Sequence, residues 1–317
     1  MAKGAFLFGI NNYENVGRLY GCENDASELE KILGTNHDGS PNFSCKTFLS
    51  SSTRITRSEL RGLSNELFTK EGLDIALFYF AGHGALTDSG SYLVTQDGNF
   101  DDEGMPMSEI VAKANASPAR EKIIIIDCCH AGAIDKFFRN AGSISLERGV
   151  SILAASRDKE TAAEVNRRGL FTSKICDALA GGAADVTGSV NVASTYAYLD
   201  EVLAVWDQRP LFKANVEKLA TIREAEPAVS KDKLRKLVQY FPTADHVFAL
   251  DPSFEPTAEP NDPTSEAIFA DLQRYRGARL LVPNGEEHLY YAAMNSKSCS
   301  LTPLGQFYWH RVKQGKI

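Results

Sequence analysis

Two short stretches concentrate the residues of this chain that are equipped for covalent chemistry. "LDIALFYFAGHGA" (73 to 85) is a hydrophobic run that ends on Gly82, His83 and Gly84, and "KIIIIDCCHAG" (122 to 132) passes from four isoleucines directly to Asp127, Cys128, Cys129 and His130. A thiol with a pKa of about 8.5 is only slightly ionised at neutral pH, so a nucleophilic cysteine needs an imidazole or a favourable dipole beside it. His83 and Cys129, 46 residues apart, offer such a pair: a base at the end of one hydrophobic run and a nucleophile at the end of the next. The glycines around His83 let a substrate backbone approach closely, and the N–H of Gly84 is a candidate donor to an oxyanion. Taken singly, each feature also reads as ordinary core; their combination points to acyl transfer.

The elements that must position these residues alternate. Strand-like runs at 5 to 10, 45 to 50, 73 to 81, 122 to 127 and 149 to 156 are separated by helical patterns at 24 to 34, 56 to 68 and around "MSEIVAKA", with a further helix over "LFTSKICDALA". Strands that are apolar on both faces and joined through helices predict an α/β fold with a mostly parallel central sheet covered on both sides. In such sheets ligands sit outside the carboxyl ends of the strands, where His83 and Cys129 fall. Adjacent residues of an extended segment point opposite ways, so only one of Cys128 and Cys129 faces His83.

Composition narrows the function classes. The 317 residues are 43% hydrophobic and 24% charged with a formal charge of -7, an acidic balance that argues against a nucleic-acid or anionic-membrane partner held by a global positive field. The longest apolar runs are far short of the roughly 20 residues a membrane helix needs. No extended apolar region followed by a small-residue cleavage site opens the chain, and we expect a cytoplasmic protein. The six cysteines (Cys22, Cys45, Cys128, Cys129, Cys176, Cys299) have neither zinc-site spacing nor a disulfide framework.

Four blocks in order resemble one family. "FYFAGHG" resembles the Tyr-Ser-Gly-His-Gly signature of metacaspases and "DCCHAG" their Asp-Ser/Cys-Cys-His-Ser-Gly signature; "LYGCENDA" (19 to 26) and "ILAASRDKETAAE" (152 to 164) resemble the early Asn-Asp-Ala block and the segment after the nucleophile. A histidine about 50 residues upstream of the cysteine is the caspase order. The likeness spans about residues 4 to 180 and is to bacterial metacaspases or orthocaspases, caspase-like cysteine peptidases. It implies that His83 is the catalytic base and acid, that Cys129 is the nucleophile and that Cys128 is dispensable. It also implies an acidic pocket built from Asp25 and Asp127, hence protein or peptide substrates cleaved after Arg or Lys. A guanidinium entering between two carboxylates relieves their repulsion and donates bidentate hydrogen bonds. Asp25 also reads as an acid at a helix N-terminus, stabilised by the macrodipole. Ala81 and Ala131 stand where the signatures have serines.

Many metacaspases are activated by calcium, and "TQDGNFDDEG" (95 to 104) gathers Asp97, Asp101 and Asp102, oxygen ligands of the type calcium prefers, without EF-hand spacing. A solvated acidic loop is the competing reading. The segment 135 to 149 after the nucleophile carries Lys136, Arg139 and Arg148, a permissive place for autoprocessing.

The resemblance fades past residue 180, and we divide the chain into a caspase-like peptidase domain (1–220) and a C-terminal module (221–317). The Pro- and acid-rich stretch 249 to 266 reads as a linker or surface loop. The tail after it is α-rich, resembles a small winged-helix-like module, and has Thr302 then Pro303 as a helix start. Acids and bases roughly balance over 221 to 317, against DNA binding. A catalytic domain with such an appendage suggests a latent protease licensed by a small molecule or protein bound to the module, as in bacterial defence effectors. The alternatives are a structural cap for the tail and, for the whole chain, a non-catalytic caspase-like scaffold. An acyl-transferase or a peptidase of the legumain or separase branch shares the His-Gly and Cys pattern but lacks the Asn-Asp-Ala block.

Overall fold

The structure is a computed structural model that describes residues 1–88, 90–99, 102–128, 145–155, 164–165, 168–204, 210–257 and 262–317. The chain divides into two compact units, residues 1–184 with 189–225, and residues 185–188 with 226–317. The strands of the first unit are β1 (Lys3–Gly9), β2 (Ser44–Leu49), β3 (Ile75–Gly82), β4 (Gly84–Thr87), β5 (Gly90–Val94), β6 (Gly104–Pro106), β7 (Glu121–Cys128), β8 (Val150–Ala154), β9 (Glu164–Val165), β10 (Arg168–Gly169), β11 (Ser189–Val190), β12 (Leu211–Asn215) and β13 (Arg223–Glu224). Its helices are α1 (Cys22–Gly34), α2 (Arg57–Thr69), α3 (Met107–Ala116), α4 (Leu170–Asp177) and α5 (Val192–Ala204).

Six strands form the central sheet in the order β12-β8-β7-β3-β1-β2, parallel throughout except for the antiparallel edge strand β12. Side chains alternate across it, which is why its runs are apolar without interruption. Leu7, Leu77, Tyr79, Ile123, Ile125 and Leu153 build one core beneath α1, α4 and α5. Phe8, Phe78, Phe80, Ile124, Ile126 and Ile152 build the other, against α2 and α3. The same alternation sends the last two residues of β7 apart: Cys128 is buried in the second core, while the Asp127 carboxylate meets Thr172 of α4 on the first face.

Three features of this unit went unread in the sequence. A three-stranded antiparallel piece, β4-β5-β6, follows His83 directly. A π-helical segment, Ala178–Gly182, extends α4, with Gly181 at φ 142°. The edge strand β12 closes the sheet.

The second unit contains α6 (Lys231–Arg235), α7 (Leu237–Tyr240), β14 (Val247–Ala249), α8 (Pro263–Gly277), β15 (Leu281–Asn284), α9 (Leu289–Met294), β16 (Ser298–Leu301) and α10 (Pro303–Lys313). Its strands pair antiparallel in the order β14-β16-β15, a small sheet within the tail that the sequence reads as α-rich. Strands of three or four residues are too short to display an alternation. The Pro-rich stretch differs from expectation as well: Phe254 is buried in this unit's core and the Asp262 carboxylate caps α8 by accepting from the N–H groups of Thr264 and Ser265. Thr302 caps α10, accepting from Gly305 N–H at 3.0 Å. Among the described residues no helix is long and apolar enough to cross a membrane.

Candidate active site

β3 and β7 are neighbours in register, with Ala81 opposite Asp127 and Gly82 opposite Cys128. The two residues that precede His83 and Cys129 are therefore paired at the carboxyl ends of the two central strands. Cys129 lies outside the described residues, as do His130 and the basic residues Lys136 and Arg139.

His83 is held from three sides. Its backbone N–H donates to the Tyr13 hydroxyl at 2.8 Å, its carbonyl accepts from Val94 N–H at 3.0 Å, and its Nε2 lies 2.7 Å from the Gly17 carbonyl oxygen. A carbonyl only accepts, so Nε2 is the donor in this contact, and of the two neutral tautomers it selects the one that leaves the lone pair on Nδ1. The Tyr13 ring packs against the imidazole with centroids 4.8 Å apart. Gly82 makes this possible, since a Cβ there would lie 2.6 Å from the Tyr13 hydroxyl. Gly84 begins β4 and pairs with Leu93.

Tyr13 and Gly17 belong to the loop between β1 and α1, and side-chain hydrogen bonds fix that loop. Ser50 Oγ accepts from the N–H groups of Asn11 and Asn12 at 2.9 and 3.0 Å and donates to Glu23, while Asn11 Oδ1 accepts from Cys22 N–H at 3.0 Å. Further along, Glu14 N–H donates to the Gln96 carbonyl and the Asn15 amide to the Gly98 carbonyl. The imidazole is thus oriented by a loop far from it in sequence.

Asp25 and Asp127 are brought together. Both are buried, at 4% and 7% exposure, and both meet the entry of α4. Gly169 N–H bridges the two oxygens of Asp25 at 3.0 Å each, and Asp127 Oδ2 accepts from Thr172 Oγ1 at 2.7 Å and from Thr172 N–H at 3.3 Å. A Cβ on Gly169 would lie 2.9 Å from an oxygen of each carboxylate, so one atomic position touches both. Asp25 sits in the first turn of α1 and Asp127 at the first turn of α4. Both acids therefore lie where a helix dipole favours negative charge. Sequence reasoning did not find Tyr13, Gly17, Gly169 or Thr172. A tyrosine in a loop, two glycines and a threonine carry no periodic signal, and their roles arise from elements that meet only in the fold.

The acidic loop has other occupations. Asp97 accepts from Arg57 N–H at 3.1 Å and from the Thr95 hydroxyl at 2.7 Å, and Asp102 is paired with the Arg57 guanidinium. Asp101 lies outside the described residues. Among the described residues no three His, Cys, Asp or Glu side chains converge as a metal centre would require. In the described part of the loop, Arg57 supplies the positive charge at Asp102.

A mostly parallel α/β sheet with a histidine directly after one central strand and a neighbouring strand that ends on Cys128 has a caspase-like architecture. Residues 2–236 match the caspase domain family. Among solved structures, caspase-1 from Spodoptera frugiperda is similar at 14% identity and a TM-score of 0.53, covering 71% of this chain and 91% of that one. A Geobacter sulfurreducens protein is similar at 15% identity and a TM-score of 0.50, covering 72% of this chain and 98% of its own. A structure of pro-sf-caspase-1 is similar at 14% identity and a TM-score of 0.50, covering 69% and 94%. At these identities the structures speak for the fold. No curated protein sequence matches the chain. The chain belongs to the caspase domain family and has the family's cysteine-peptidase fold.

Proposed function

We propose that this chain is a cysteine endopeptidase that cleaves proteins or peptides after Arg or Lys. The observation that carries the reading is the meeting of Asp25 and Asp127, distant in sequence, around one backbone position beside the strand end that leads to Cys129. Two carboxylates at helix N-termini suit a guanidinium or ammonium group at the residue before the scissile bond.

In this mechanism Nδ1 of His83, left with its lone pair by the Gly17 carbonyl, takes the proton of the Cys129 thiol. The thiolate attacks the scissile carbonyl carbon, and the negative charge that develops on its oxygen is met by N–H donors such as that of Gly84. The tetrahedral intermediate collapses as His83 returns the proton to the leaving amine. Water, deprotonated by the same imidazole, then hydrolyses the thioester and releases the acid and the free thiol. Burial of Cys128 at 2% exposure supports assigning the nucleophile to its neighbour.

The second unit enters this reading as a sensor: a small molecule or protein bound there releases a latent protease, the arrangement expected of a bacterial defence effector. Calcium activation through Asp97, Asp101 and Asp102 would require Asp102 to leave Arg57.

The test is a fluorogenic peptide panel with Arg, Lys, citrulline or Asp before the scissile bond, run on wild type, Cys129→Ala, Cys128→Ala and His83→Ala, with and without calcium. Cleavage after Arg and Lys that persists in Cys128→Ala and disappears in the other two variants is expected. Cleavage after Asp in preference to Arg would overturn the specificity. Silence under every condition, persisting when ligands bind the second unit, favours the non-catalytic scaffold. A ligand that binds the second unit tightly and leaves the cleavage rate unchanged removes the sensor role.

A further inference from the structure

A line of hydroxyl groups runs from the core of the first unit to the Asp127 carboxylate. Tyr79 lies on β3, four residues before His83, and is fully buried on the face covered by α1 and α4. Its hydroxyl is 2.7 Å from Thr172 Oγ1, which is itself 2.7 Å from Asp127 Oδ2. An ionised carboxylate only accepts, so the single Thr172 hydroxyl proton goes to Asp127 and the Tyr79 proton goes to Thr172. Burial, together with the nearby charges of Asp25 and Asp127, pushes the Tyr79 phenol well above its usual range, so it remains a donor. Thr172 reaches the same oxygen with its backbone N–H, while Gly169 N–H, three residues earlier in the same turn, holds Asp25. One turn of chain thus sets the orientation of both carboxylates.

We propose that Tyr79 and Thr172 are positioning residues that set selectivity for a basic side chain at the Asp25 and Asp127 pair, an inference that rests on the Arg/Lys reading above. Hydrogen bonds between charged groups and fixed donors are among the stronger ones, and in a buried setting a polarised chain strengthens each link. The donors from Tyr79 and Thr172 carry no net charge, so they orient the Asp127 carboxylate without cancelling its charge. Without the hydroxyl, Asp127 keeps its place on β7 but loses the shorter of the two Thr172 contacts that orient it. The penalty then falls on recognition of a cation and spares an uncharged side chain of the same shape.

The test uses the full chain in a Cys129→Ala background and measures, by calorimetry, binding of a peptide ending in Arg and of its citrulline counterpart, which is isosteric and uncharged. The parent is expected to prefer Arg by about tenfold or more. Thr172→Val, which keeps shape and backbone N–H, is expected to reduce that preference to about threefold or less, and Thr172→Ser to retain it. Tyr79→Phe falls between them and carries the test if Thr172→Val does not fold, as judged by its thermal midpoint. An undiminished preference in Thr172→Val and Tyr79→Phe overturns the proposal, and so does equal weakening of both peptides, the mark of a merely structural lesion. A parent with no preference for Arg over citrulline refutes the specificity reading and this inference with it, an outcome visible before residue 172 or 79 is altered.

Discussion

Buried carboxylates occur in both units, and they are satisfied by different means. Asp271, on α8 of the second unit, is 1% exposed and receives Lys233, Lys236 at 2.9 Å and the Tyr240 hydroxyl at 3.1 Å. There the chain's own cations cancel the charge. At the end of the central sheet, Asp25 accepts from the Gly169 N–H and Asp127 from the Thr172 N–H and hydroxyl, uncharged donors that orient a carboxylate. A carboxylate closed by lysines ties helices together, whereas an uncharged donor orients a carboxylate and brings no positive charge of its own.

The contrast is broken or sharpened most strongly at Asp127. Asp127→Ala should lower kcat/KM for Arg and Lys peptides by an amount corresponding to about 2–5 kcal/mol, the cost of removing one partner of a buried charge pair. Steady-state kinetics, with circular dichroism to certify the fold, measures it, and an unchanged kcat/KM would separate the acid pair from recognition. Next comes Gly169→Ala, whose new methyl would press on both carboxylates at once. Strain of about 1–3 kcal/mol is expected, falling on cleavage after basic residues more than on the thermal midpoint.

In the second unit, Asp271→Asn should cost that unit on the order of 1–3 kcal/mol of stability, because Lys233 and Lys236 keep their charge and lose its partner. Both lysines are partly open to solvent, at 29% and 44% side-chain exposure, which moderates the loss relative to a fully buried pair. Hydrogen exchange of the α8 amides in the full chain reads this locally. The pH dependence has a definite sign. Burial alone would push Asp271 up, but the hydrogen bonds from Lys233, Lys236 and Tyr240 outweigh it and hold the carboxyl below its usual range. Its contribution is therefore complete above the unfolded value of about 3.9 and is lost as pH falls through the lower folded value. Protection of α8 should decline with acid below about pH 4 in the wild type and respond less in Asp271→Asn. The smallest effect belongs to Arg54→Ala, which removes an exposed pair with Glu14 on the loop that orients His83. Little or no shift of the thermal midpoint is expected, since solvent screens an exposed pair, with the His83 contacts surviving through the Glu14 N–H to Gln96 bond.

Legibility in the sequence followed the length and regularity of each element. β1, β3, β7 and β8 announce themselves as uninterrupted apolar runs because both faces are covered, and α1, α2 and α10 through their spacing or their starts. β4, β6 and the strands of the second unit were missed, being three or four residues long and stabilised by partners that periodicity cannot name. The Pro-rich stretch before α8 looked like a linker because composition says nothing of whether Phe254 finds a core.

The chain's order of residues by itself determined where reactive groups end hydrophobic runs: His83 after "FYFAG", Asp127 and the two cysteines after four isoleucines, and Asp25 at the start of a helix. Strand alternation then follows from backbone geometry alone, which sends Asp127 and Cys128 to opposite faces. Only the tertiary structure decided that the Gly17 carbonyl fixes the tautomer of His83 and that Gly169 lies between two acids. It alone joins Tyr79 to Asp127 through Thr172. Those contacts cross between separate elements, and a hydrogen bond over such a separation depends on how the sheet and helices pack, which no local pattern encodes.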